Sequence, residues 1–303
     1  MSGSATIRVP ATSANLGCLF DCAALALGLY LDVHVTPCAD CRIEVKYSGV
    51  TPDRVPCDET NLIARTINRI LASWNKQQGF KLEIQNQIPI GVGLGSSAAA
   101  VVAALAAAYF LKDHFPTDDQ ILAAASEIEG HPDNAAAAWL GGFTLAAQQD
   151  GRIFASSCTL PDNLSIVVTV PDYALPTEKA RQAIPDSYSR ADAVHNLQRA
   201  AALAARIFSG KMDLHPLLFD DCWHQPYRAP LVPGLTELLK LRHPDLAGLC
   251  LSGAGPSVLA LARHNAEPLG EIIRQVLADH GVKSQTYLLP VDNRGAKGWC
   301  RPA

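Results

Sequence analysis

The 303-residue sequence has no surplus of positive charge: 25 Lys and Arg against 29 Asp and Glu leave a formal net charge of −4. That balance gives no electrostatic footprint for nucleic acid. There is also no apolar run of bilayer length. The longest, Ala98 to Leu111, is about 14 residues against a requirement of ~20, so it reads as a buried helix. The first residues include Arg8, Pro10 and Asn15 and no apolar core of signal-peptide type, so the expectation is a cytoplasmic chain with no membrane partner. The nine cysteines lack a pairing pattern. An odd count in a long chain argues against the disulfide framework of a secreted protein. Cys38-Ala-Asp-Cys41 is a C-x-x-C, but the second matching pair that zinc usually wants is missing. The thiols read as small reduced apolar side chains. No internal repeat and no low-complexity linker interrupts the chain.

The most informative segment present is Pro89-Ile-Gly-Val-Gly-Leu-Gly-Ser-Ser-Ala-Ala99, three glycines at alternate positions before an alanine-rich run. Gly91, Gly93 and Gly95 permit positive φ and let backbone N–H groups crowd a ligand. Ser96 and Ser97 suit a helix cap. A helix N-terminus offers free N–H groups and a positive dipole end, which together bind phosphate. The segment therefore reads as a phosphate cradle for a nucleotide, with a glycine-rich turn before a buried helix as the plainer reading. It is neither a Walker loop, since no lysine follows Gly95, nor a dinucleotide fingerprint, since Ser96 stands where the third glycine belongs.

Hydrophobic periodicity places strands at 5–9, 29–36, 43–47, 81–85, 143–147 and 166–170, and helices at 61–74, 121–129 (capped by Thr117 or Asp118) and 191–207. The last part reads strand (248–251), glycine turn, strand (257–262), helix (266–279), strand (283–288). That order suits an α+β sandwich, with a domain boundary near residue 155.

Three separated segments carry a family resemblance: Pro10-Ala-Thr-Ser-Ala-Asn-Leu-Gly17 running on to Phe20-Asp21, the glycine loop, and Leu251-Ser-Gly-Ala-Gly-Pro-Ser257. In this order and spacing they resemble the three signature motifs of the GHMP kinases. Within that superfamily the chain looks most like the homoserine kinases. The distinguishing residues are Glu129-Gly-His-Pro-Asp-Asn134 with Gly141-Gly142-Phe143, Thr177-Glu-Lys-Ala-Arg181 and His224-Gln-Pro-Tyr-Arg228.

The resemblance implies a two-domain α+β fold. A ribosomal-protein-S5-like ATP-binding domain would span 1–155 and a ferredoxin-like sandwich 156–303. It implies phosphorylation of the side-chain hydroxyl of L-homoserine by ATP with Mg2+, in threonine biosynthesis, by a homodimer. The alternative is another GHMP kinase acting on a sugar or mevalonate-type alcohol. A nucleotide-binding regulator without catalysis is a further alternative.

By the same resemblance, Asn61, Pro89, Gly91, Gly93, Leu94, Gly95, Ser96 and Ser97 contact ATP. Ser97, with Ser96 as its alternative, and Glu129 hold the metal. Residues 127 and 129 point about 200° apart on a helix, so only one of Glu127 and Glu129 can face the site. Asn15, Asp21, Asn134, Thr177, Arg181 and Arg228 line the substrate, and the two arginines match the family's carboxylate-binding positions. The catalytic residues implied are Asp21, Asn134 and Arg181. Asn134 is an amide and takes no proton. Plainer readings stand beside these: Asn61 or Asp21 as a helix cap, and His131 as a turn residue rather than a base. The Ser252 to Ser257 turn is expected to pack against the phosphate loop.

Overall fold

The computed structural model describes residues 3–162, 164–299 and 301–302. Two sheets share the strands. The first holds β1 (Ala5–Ala14), β2 (Ala23–Cys38), β3 (Ile43–Gly49), β4 (Gly79–Asn86), β5 (Phe143–Gln149) and β6 (Arg152–Cys158). The second holds β7 (Ser165–Pro171), β8 (Leu246–Leu251), β9 (Val258–Ala262) and β10 (Ser284–Leu289). A last strand, β11 (Arg301–Pro302), returns to the first sheet and pairs with β1.

The long strand β2 organises the first sheet. β1 lies antiparallel along one side of it. On the other side the beginning of β2 pairs with β5, while its second half pairs with β4. β1 and β2 alternate inside and outside only over part of their length. Ala11 to Ala14 and Ala23 to Leu27 are buried on both faces. Both strands therefore extend well beyond the segments expected from alternation.

Helices α1 (Leu62–Ser73), α2 (Ser96–Leu111), α3 (Asp118–Glu129) and α4 (Asp133–Leu140) belong to the first unit. α2 is buried nearly all round and contacts α1, α3, α4, β1 and β2. Its alanines let those neighbours approach closely, and a helix apolar on every side has to be central. Thr117 and Gln120 form a reciprocal capping box that starts α3, and Gly130 at φ 83 ends it.

In the second sheet the order is β10-β7-β9-β8, all antiparallel. Numbered within the unit this is 4-1-3-2, the split βαβ arrangement. The crossover from β7 to β8 carries α5 (Thr177–Gln182), α6 (Arg190–Phe208), α7 (Gln225–Arg228) and α8 (Leu235–Leu238). α9 (Glu267–Asp279) joins β9 to β10, and α10 (Gly295–Trp299) packs on α4. The expected break near 155 falls inside β6, and the sheets change between Cys158 and Ser165. Among the described residues no helix is long and apolar enough to cross a membrane.

Candidate active site

Three chain segments interlock where the two sheets meet. Thr12 N–H donates to the Leu94 carbonyl at 3.1 Å, Ser257 N–H to Val92 at 3.2 Å, and Gly253 N–H to Ala14 at 3.0 Å. Ser252 Oγ bonds to Ser13 Oγ at 2.8 Å and donates to the Gly93 carbonyl at 2.7 Å. Asn15 sits in the left-handed region, φ 74. Its amide nitrogen donates to the Gly253 carbonyl at 2.9 Å, and its amide oxygen accepts from Asp21 N–H at 2.9 Å.

The glycines of the loop are required by these contacts. Gly93, at φ 84, lies against the backbone of Ser252, and at Gly95, φ 65, a Cβ would overlap the Thr12 hydroxyl. The expected serine cap of α2 is not formed. Gly95 is the N-cap and makes no side-chain bond, because the loop must enter the helix through a left-handed residue. Ser96 and Ser97 instead fill the first turn, where the backbone N–H groups have no intrahelical acceptor.

These segments wall a cleft of about 430 Å³. Its lining brings together all the sequence-expected site residues except Pro89, which stands outside it. The apolar side chains that line it include Tyr47, Val55, Pro56, Leu62, Ile84 and Ile90. Asn61 lines it too, 3% exposed. It caps α1 by accepting from Ile63 N–H at 3.0 Å, and its amide donates to Pro56 at 2.9 Å. The plainer reading of Asn61 as a cap thus describes its bonds, while its position is on the cleft wall.

On the lining, Ser97 Oγ donates to Glu129 Oε1 at 2.7 Å. Burial pushes the Glu129 carboxyl above its usual range, against the opposing Ser97 hydrogen bond. Glu127 is exposed and does not line the cleft. Asn134 Oδ1 accepts from Thr12 Oγ1 at 2.7 Å. Asp133, 2% exposed, accepts from Asn134 N–H at 2.6 Å and bonds to His131 Nδ1 at 2.7 Å. That hydrogen bond raises the His131 pKa despite the opposing effect of burial.

Asp21, also on the lining, stands in a left-handed turn, φ 53, and caps no helix. It forms a two-pronged ion pair with Arg181, both contacts at 2.9 Å. Arg228 is 1% exposed. Its Nε donates to Ala180 at 3.2 Å, and its Nη1 lies 3.2 Å from the Gly253 carbonyl and 3.1 Å from His224 Nδ1. Among the described residues no carboxylate comes within ion-pair distance of it. Burial, reinforced by Arg181, draws its pKa down to about 10. Thr177 is exposed on the wall at the first turn of α5.

Two family models match the chain: the GHMP kinases N terminal domain over residues 61–142 and the GHMP kinases C terminal over residues 193–282. A homoserine kinase of Solibacter usitatus is 40% identical over 95% of both chains. One of Desulfitobacterium hafniense is 41% identical over 96% of this chain and 98% of its own. The chain belongs to the homoserine kinase family of the GHMP kinases. A solved homoserine kinase of Cytophaga hutchinsonii superposes with a TM-score of 0.83 at 27% identity, covering 97% of each chain. The mevalonate kinase of Methanococcus jannaschii shares the fold, with a TM-score of 0.62 at 15% identity over 94% of this chain.

Within this homoserine kinase family member, sequence reasoning passed over two buried residues. Asp133 lay inside the quoted Glu-Gly-His-Pro-Asp-Asn run, and a carboxylate opening an alanine-rich segment was the available signal. His224 lay inside the second arginine motif. Its complete burial has no counterpart in the local pattern. Among the described residues, no cluster of three or more His, Cys, Asp or Glu gathers to hold a metal. Cys38, half-buried, ends β2, and Cys41 is an exposed thiol on the turn after it.

Proposed function

We infer that this chain transfers the γ-phosphoryl group of ATP to the side-chain hydroxyl of L-homoserine, giving O-phospho-L-homoserine for threonine biosynthesis. The observation that carries the substrate is Arg228, a buried cation on the cleft wall whose described partners are two carbonyls and an imidazole. Such a group favours an anion, and a planar fork suits a carboxylate. Asp21 on the same wall supplies a negative partner for an ammonium. A zwitterionic amino acid answers both; a sugar answers neither, and mevalonate only the first.

Phosphoryl transfer is mainly positioning and charge neutralisation. The glycine loop and the first turn of α2 cradle the phosphates, and the apolar lining of the cleft with Asn61 takes the purine. Ser97 and Glu129 hold Mg2+. One hydroxyl and one carboxylate 2.7 Å apart are the sparse oxygen set this ion uses together with phosphate oxygens and water. When bound, the ion neutralises phosphate charge. Arg181 and Arg228 hold the α-carboxylate, with Asn15 and Thr177 shaping the pocket. Asp21, Asn134 and Arg181 are the catalytic residues. Asn134 orients rather than abstracts, and the hydroxyl proton leaves late, to Asp21 or a phosphoryl oxygen. An ATP-binding unit spans 1–155 and a second unit 156–303, and we propose a cytoplasmic homodimer, which light scattering would measure.

The test is a coupled ADP-release assay across homoserine, mevalonate, galactose, shikimate and threonine. Turnover on homoserine is the expected result. Robust activity on mevalonate or galactose with none on homoserine would overturn the substrate assignment.

A further inference from the structure

His224 is completely buried and does not line the cleft, yet it touches Arg228, which does. Its protonation pattern follows from its neighbours. Nε2 is 2.9 Å from the Gly17 carbonyl, which can only accept, so Nε2 carries the proton. Nδ1 is 3.1 Å from Arg228 Nη1, and a guanidinium can only donate, so Nδ1 offers its lone pair. The ring is thereby fixed as the neutral tautomer with one donor and one acceptor, in line with the effect of its burial. Asp221 sets the turn that carries it, accepting from the N–H groups of Trp223, His224 and Gln225 at 2.8, 3.0 and 2.7 Å. Phe20 stacks on the imidazole with ring centres 5.1 Å apart, and the Arg228 guanidinium sits 5.4 Å over the same Phe20 ring.

We propose that His224 is a positioning residue for substrate recognition: it ties the first signature segment at Gly17 to the guanidinium of Arg228 and fixes the direction in which that guanidinium meets the substrate carboxylate. The two carbonyls on Arg228, from Ala180 and Gly253, restrain Nε and Nη1. The imidazole, at the N-cap of the same helix α7 and itself held by the distant Gly17 carbonyl, adds a third restraint. A protonated or absent ring would leave Nη1 without it. This role rests on the assignment of Arg228 to the carboxylate.

Two near-isosteric variants separate the two bonds. His224→Asn places an oxygen acceptor near the Nδ1 position and gives up the Gly17 contact. His224→Gln reaches Gly17 and gives up the Nδ1 acceptor. Steady-state kinetics on homoserine and on ATP, with thermal melts of each variant, are the measurements. His224→Gln is expected to raise KM for homoserine about ten-fold, the size of one hydrogen bond to a charged group, with KM for ATP unchanged. His224→Asn is expected to restore most of that difference. In an Arg228→Met background His224→Gln is expected to add nothing. Equal KM effects for both substitutions, an unchanged KM in His224→Gln, or a penalty that persists without Arg228 would each overturn the proposal. If Arg228→Met alone leaves KM for homoserine unchanged, the carboxylate assignment itself fails, a result distinguishable from the other three.

Discussion

Replacing Arg228 by methionine sets function against stability, and the structure gives both magnitudes. Burial lowers the pKa of this guanidinium from its ordinary value to about 10. The charged form is therefore disfavoured in the fold by about 3 kcal/mol relative to the neutral one. Methionine of similar reach removes that cost. Against it stands the loss of hydrogen bonds. The Gly253 carbonyl keeps Asn15 as a donor, so the Ala180 carbonyl and His224 Nδ1 are the acceptors left short. An unsatisfied buried acceptor costs about 1–3 kcal/mol. The two contributions nearly cancel, and the melting temperature of Arg228→Met is expected to stay close to that of the wild type. Binding has no such compensation. A lost hydrogen bond to a charged group costs about 1.5–3 kcal/mol, so KM for homoserine is expected to rise roughly ten- to a hundred-fold. KM for ATP should stay as it is. Homoserine methyl ester, which lacks the negative charge, is expected to be a poor substrate already and to be hurt much less. Lysine at 228 is expected to rescue only in part, because a point charge does not reproduce the fork. The assay is coupled ADP release on acid and ester, beside a thermal melt. Equal losses on acid and ester, with a large drop in melting temperature, would refute the reasoning and make Arg228 structural.

Glu129→Gln keeps an acceptor for Ser97 and loses the charge, so turnover is expected to fall roughly 10²-fold, with a weaker response in a Mg2+ titration; near-wild-type turnover at saturating Mg2+ would move the metal elsewhere. Glu127→Gln is the matched control and is expected to be neutral. Gly95→Val puts a β-branched residue at φ 65 against Thr12, so titration calorimetry with a non-hydrolysable ATP analogue is expected to show no binding by folded protein; unchanged affinity would make the loop an ordinary turn. His131 has its pKa raised by Asp133 in the fold. The stabilisation it brings is therefore fully present below the ordinary imidazole value and lost as pH rises through the higher folded value. The melting-temperature gap between wild type and His131→Gln is expected to be wider at about pH 5.5 than at about pH 8.5, and a gap independent of pH would remove the ion pair from the account.

What could be read from the sequence was whatever has a local cause. The glycine loop was legible because left-handed residues and close backbone approach demand glycine. α1, α3, α6 and α9 were legible because each carries an apolar stripe of helical period. The unread parts have distant causes. The second half of β1 looks like a loop because Thr12 and Ser13 are polar; their partners, Asn134 and Ser252, lie far along the chain. β6 alternates without fully buried residues and gave no strand signal. The cap of α2 is not the expected serine because Gly95, left-handed and packed against Thr12, leads the loop into the helix. The site residues could be named from motif resemblance, but their pairings could not. Asp21 meets Arg181 across 160 residues of sequence. The burial of Arg228 arises only after α5, α7 and the Ser252–Gly253 turn have come together around it.

The bonds between Ser13, Asn15 and the Ser252–Gly253 turn also set the order in which the molecule becomes competent during translation. The segment carrying Ser13 and Asn15 leaves the ribosome first, and the turn that it bonds to leaves 238 residues later. The whole of β1 to β6, with α2, is synthesised while the glycine loop still lacks its brace. A nonsense mutation anywhere between the end of β6 and Ser252 yields a polypeptide that carries every glycine of the loop and lacks the hydroxyl that holds Gly93.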